Sequence, residues 1–177
     1  MARKIVQTGA PAATPAAGGK NGPVDLPGFI KQLNRHMESA RMQKATAMLQ
    51  ADRFQLFSDV TDDHVDGVVK SQTDSSLFYA CRLTASGSFS CCTQNLFACG
   101  GLRGALCKHL LVLLIGLTKA GEIDPAKAAA WTAASRKHKP ALDKDAMSAT
   151  FIRYKGAQAG EVDWRPTETI PEDYYAL

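Results

Sequence analysis

Four cysteines fall within seventeen residues, at Cys91, Cys92, Cys99 and Cys107, and His109 follows the last of them with only Lys108 between. No other stretch restricts the fold as strongly. Thiolate and imidazole are the ligands that a borderline-soft ion such as zinc prefers, and a structural zinc site takes four of them in tetrahedral array. Five candidates are present, one more than required. Adjacent residues of a strand point to opposite faces, so Cys91 and Cys92 do not both reach one ion from an unbroken strand. The expected set is therefore Cys91 or Cys92, with Cys99, Cys107 and His109. Gly100, Gly101 and Gly104 let the intervening loop close tightly around a metal. The run from Leu110 to Leu117 is too short to cross a membrane and predicts a buried helix, with Cys107 and His109 on its first turn. Free N–H groups and partial positive charge at a helix start favour a thiolate, which predicts a lowered pKa for Cys107. Arg103 and Lys108 would offset the negative charge of a three-thiolate zinc site.

The remaining cysteine, Cys81, shares one side of a predicted strand with Tyr79 and Leu83 and reads as a small buried hydrophobe. An odd number of cysteines confined to residues 81–107 argues against a secreted disulfide framework and for thiols kept reduced. With no apolar run of signal-peptide length behind Arg3 and Lys4 and none of membrane-spanning length, a cytoplasmic protein without a membrane partner is expected.

The rest of the chain arranges itself about this stretch, and 177 residues at 45% apolar content allow one domain with a real core plus tails. Residues 1–24, rich in Ala, Gly and Pro, form an arm without hydrophobic periodicity. Residues 25–53 read as one amphipathic helix capped by Asp25, with Phe29, Ile30, Leu33, Met37, Ala40, Ala45, Met48 and Leu49 near helical spacing. Its polar side carries Lys31, Arg35, Arg41 and Lys44. Residues 54–122 hold the metal stretch, preceded by three or four short strands separated by turn signals at 73–76 and 85–87, which predicts an antiparallel meander. Asp59, Asp62, Asp63 and Asp66 lack the spacing of a calcium loop, since Lys70 stands where Glu is required, and read as a solvated loop with His64 at the surface. Residues 123–158 form a helical extension starting at Asp124-Pro125, holding the basic group 136–139, and including a short helix from about Asp143. Residues 159–177 are an acidic and aromatic tail. The fold class is α+β: an N-terminal helix, a small antiparallel β-meander carrying a zinc site closed by an apolar helix, and further C-terminal helices.

Phe89-Ser90-Cys91-Cys92, followed by Cys107-Lys108-His109-Leu110-Leu111-Val112-Leu113, resembles the SWIM-type zinc finger, whose pattern is Cys-x-Cys, a variable spacer, then Cys-x-His opening an apolar helix. The likeness spans roughly residues 65–118. Thr93 stands where the second cysteine of the pattern belongs, and Cys99 supplies the missing ligand. The resemblance implies a zinc-stabilised module that binds DNA or other proteins and has no catalysis of its own. Small stand-alone bacterial SWIM proteins tend to accompany AAA+ ATPases and von Willebrand A-domain proteins, which implies an assembly or chaperone-like protein partner.

Other chemistries are weaker on the residues. Four thiolates could hold an iron-sulfur cluster, but the spacing fits no common ferredoxin run. A Cys-His hydrolase would need Cys107 and His109 to face each other, whereas side chains two apart on a helix diverge, and no third orienting group is evident. Nucleic-acid binding would draw on Lys31, Arg35, Arg41, Lys44, Arg103 and Lys108, with few aromatics beside them and no base-reading motif.

Overall fold

The structure is a computed structural model that describes residues 24–51 and 55–163, excluding the side chains of residues 55 and 160–163. The arm, apart from Val24, and the tail beyond residue 163 lie outside the described residues. Helix α1, Leu26–His36, begins where Asp25 accepts a hydrogen bond from the Gly28 N–H at 2.8 Å, with proline in its first turn. The single helix expected over 25–53 is two. Met37 and Glu38 are extended, and α2 runs Ser39–Gln50. No helix breaker causes this; the apolar stripe changes phase instead. Phe29, Leu33 and Met37 are buried at helical spacing, but the next buried positions are Met42, Ala45 and Met48. A step of five residues turns roughly 140° about a helix axis, so one straight helix cannot bury both stripes. Ala40, expected on the apolar side, is exposed.

Four strands follow in a meander: β1 Gln55–Val60, β2 His64–Lys70, β3 Phe78–Thr84 and β4 Phe89–Thr93. They pair antiparallel in chain order, β1-β2-β3-β4, as the turn signals predict. Alternation divides each strand between two faces. Val65, Val69, Cys81, Leu83, Phe89 and Cys91 face the main core, whereas Val68, Ala80 and Cys92 face a second, smaller one.

The main core is built on α3, Lys108–Ala120, whose residues from His109 to Ile115 are all buried. A helix apolar on every side must be covered on every side. The sheet covers one flank, and α1, α2 and α4, Pro125–Ser135, pack on the first face as well. Asp124 accepts from the Ala126 and Lys127 N–H groups to start α4, and Gly121, at φ 79°, ends α3 in the left-handed conformation. Gly67 of β2 lets α3 approach closely, since a Cβ there would overlap the Leu113 methyls and lie 2.9 Å from the Phe57 carbonyl oxygen.

On the other face lies α5, Lys144–Asp163, longer than the short helix expected and reaching into the segment assigned to the tail. Met147, Phe151 and Tyr154 meet Val68, Ala80 and Cys92. The acidic group divides here, contrary to the solvated-loop reading: Asp62 and Asp63 are exposed, but Asp66 is 0% exposed in β2. Its carboxylate accepts from Arg82 Nη1 at 2.8 Å and Arg153 Nη2 at 2.7 Å, and His64 Nε2 lies 3.5 Å away. Arg153 also pairs with Asp59, so one α5 side chain ties the helix to two strands. Pairing is what permits a fully buried carboxylate. Among the described residues, no helix is long and apolar enough to cross a membrane.

Candidate metal centre

Three separate devices bring the ligand residues together. Cys91 sits in β4 on the main-core face. After β4 the chain turns back on itself, with the Leu96 N–H donating to the Thr93 carbonyl at 2.8 Å, until the Cys99 N–H donates to the Cys91 carbonyl at 2.9 Å. That return pairing holds Cys99 beside Cys91. Cys107 is the residue before α3, with extended backbone at φ −78° and ψ 170°, and His109 lies in the first turn of the helix. Since α3 packs on the same face of the sheet, its N-terminus delivers both residues to the thiols of Cys91 and Cys99.

The four ligand atoms of Cys91, Cys99, Cys107 and His109 all lie within 4.8 Å of one another, and all four residues are buried. His109 Nδ1 is 3.5 Å from Cys99 Sγ, 3.8 Å from Cys91 Sγ and 4.0 Å from Cys107 Sγ. A tetrahedral zinc ion with Zn–S bonds of about 2.3 Å spaces its ligands roughly 3.5–3.8 Å apart. The cluster therefore fits such an ion with little adjustment, and its soft donor set suits zinc.

Cys92 stands apart from this group. It points to the opposite face of β4, among Met147, Phe151 and Tyr154, and the strand does not break to turn it inward. Burial pushes its thiol up to about 11. Cys81 is nearer than its reading as a plain hydrophobe implies: it pairs with Cys91 across β3 and β4, and the two sulfurs are 3.7 Å apart. The signal was present, for Cys81 and Cys91 are equidistant from Ser86 at the turn centre. Tyr79 is the second neighbour that sequence reasoning missed. Its ring stacks on His109 with centroids 3.8 Å apart and 19° between planes.

Electrostatics in the metal-free site are dominated by burial. It pushes the thiols of Cys91 and Cys107 well up, which reverses the lowering expected for Cys107 from the helix start. Cys99 goes the other way, held far below the ordinary thiol range by hydrogen bonds from Cys107 and Cys91. Burial thus favours protons on Cys91 and Cys107, and a metal would displace them. All five cysteines are free.

The six cations chosen from sequence separate into two groups. Arg41, Lys44, Arg103 and Lys108 border one cleft of about 480 Å³ whose wall also includes Tyr79, Cys99 and His109. Arg41 is fixed there by donating to the Leu106 carbonyl at 2.7 Å. Lys31 and Arg35 border a different groove on α1.

Comparison with known protein families, curated proteins and solved structures finds no match to this chain. The likeness to the SWIM-type finger thus rests on the motif residues themselves.

Proposed function

We propose that this chain is a zinc-structured interaction module of SWIM type, non-catalytic, in which Cys91, Cys99, Cys107 and His109 hold the ion. The observation that carries the reading is the convergence of four buried soft ligand atoms within 4.8 Å. Zinc would close the β4 return loop onto the start of α3 and add its binding free energy to folding. Three thiolates and one imidazole fill a tetrahedral shell, so no position is left open for a substrate, which supports a structural rather than a catalytic ion. The partner is a protein. By likeness to small bacterial SWIM proteins, an AAA+ ATPase or a von Willebrand A-domain protein is the class to try first, in a reducing cytoplasm.

Elemental analysis with a free-thiol count before and after chelation tests this reading. One zinc per chain, with three thiols becoming reactive only after chelation, supports it. A brown protein with visible absorption supports an iron-sulfur site instead, and a metal-free protein overturns the finger altogether. The gathering of Arg41, Lys44, Arg103 and Lys108 at one cleft favours nucleic acid as the second reading. Binding that weakens steeply with added salt would favour it over the protein partner.

A further inference from the structure

We propose that the cationic cleft beside the metal cluster is a binding site for a phosphate group, one of whose oxygens accepts a hydrogen bond from His109 Nε2. The inference rests on the zinc reading, because metal coordination sets the tautomer. With Nδ1 turned to the three thiols and bound to an ion, the ring proton must sit on Nε2, on the edge of the ring that points away from them. A metal-bound histidine ordinarily donates that N–H to a carboxylate, a backbone carbonyl or water. Here Nε2 is buried and has no hydrogen-bond partner among the described residues, although His109 is only 3% exposed. Leaving such a donor unsatisfied is costly, so the site is incomplete as the chain alone builds it.

The same histidine is part of the wall of the 480 Å³ cleft, and what surrounds that cleft is suited to a multiply charged anion. Arg41, Lys44, Arg103 and Lys108 face one carboxylate, Glu38, and the thiolate of Cys99, which leaves the cleft net positive. Arg103 and Lys44 are exposed, while Lys108 is half-buried. The first turn of α3, which opens at Lys108, carries neither an acidic side chain nor a side-chain cap. Its N–H groups and partial positive charge favour an anion at the same place. A phosphate offers three strong acceptor oxygens and up to two charges, enough to meet the Nε2–H, the helix start and two cations together. A carboxylate carries half that charge. The phosphate can come from a free nucleotide or from a nucleic-acid backbone, and the chemistry of recognition is shared.

The test uses the full chain loaded with zinc, its metal content measured on the same sample. Inorganic phosphate, a nucleoside monophosphate and a short single-stranded oligonucleotide are titrated in turn. Binding is followed by calorimetry and by the 1H–15N signals of the His109 ring. The expected result is a saturable shift of the His109 Nε2–H signal with phosphate alone. Arg103→Ala should weaken binding about tenfold, and so should Lys44→Ala on the separate helix α2, with zinc content retained. Lys31→Ala should leave binding unchanged. Tighter binding of the monophosphate than of phosphate supports a free nucleotide as the source, and a tighter oligonucleotide with steep salt dependence supports a nucleic-acid backbone. A zinc-loaded protein whose His109 signal ignores all three ligands overturns the phosphate site and leaves the zinc reading standing. A chain that holds no zinc overturns both.

Discussion

Replacing Cys107 with serine removes a ligand and alters the residue that opens α3, whereas replacing Cys92 touches only the second core. The two variants separate metal chemistry from packing. Cys107→Ser should lose stoichiometric zinc and with it folding free energy on the order of 10 kcal/mol, seen as a collapsed melting transition. Cys92→Ser should keep one zinc per chain and melt only modestly lower; loss of zinc from it would put Cys92 back among the ligands. Proton linkage gives a second residue-scale prediction. Burial raises Cys91 and Cys107 in the metal-free site, so both thiols are protonated near neutral pH and zinc must expel their protons. Apparent zinc affinity should rise with pH and fall as pH drops, by about 100-fold per unit for two protons displaced, measured against a competing chelator. A flat profile would mean that the thiols are already ionised. The sign is opposite for Cys92. Its folded pKa is raised to about 11, so stability tied to its neutral thiol is present below the ordinary thiol range and is lost as pH climbs toward that value. The residue types of the site were legible because soft ligands are dense and rare elsewhere in the chain. The choice of Cys91 over Cys92, and the closeness of Cys81, depend on strand register, which shows only once Cys81 and Cys91 are counted from the turn at Ser86.

Elements were legible where local chemistry and the core demand the same thing. Asp124-Pro125 starts its helix as expected, and the meander follows from its turns. The break at Met37–Glu38 was not read because each half keeps helical spacing by itself, and only the slip from Met37 to Met42 betrays two stripes. Asp66 was misread for a related reason: a buried carboxylate needs cations, and Arg153 is 87 residues away in sequence. Contact between elements also yields a prediction. Gly67→Ala would gain about 0.4–1 kcal/mol from a less flexible unfolded chain. Against that, the added methyl meets Leu113 and the Phe57 backbone carbonyl, and overpacking costs about 1–3 kcal/mol. A backbone atom cannot rotate away, so the loss should win and the urea midpoint should fall. An unchanged or higher midpoint would show that α3 moves off the sheet without penalty.

Across the whole molecule the sheet separates two jobs. Its first face carries the metal cluster and the packing of α1 to α4, and its second face carries α5. Arg153→Ala should therefore lower global stability by about 1–3 kcal/mol, through loss of charged hydrogen bonds to Asp59 and Asp66, while zinc content stays at one per chain. Zinc loss in that variant would show that the faces are coupled. The separation is also an order in time. All four ligands and all four strands lie between residues 55 and 109, so on a chain emerging from the ribosome the metal cluster can close before α5 has been made. Until then Val68, Ala80 and Cys92 have nothing to cover them. The wait for α5, rather than for zinc, thus decides how long a half-finished protein offers a greasy sheet to its neighbours in the cell.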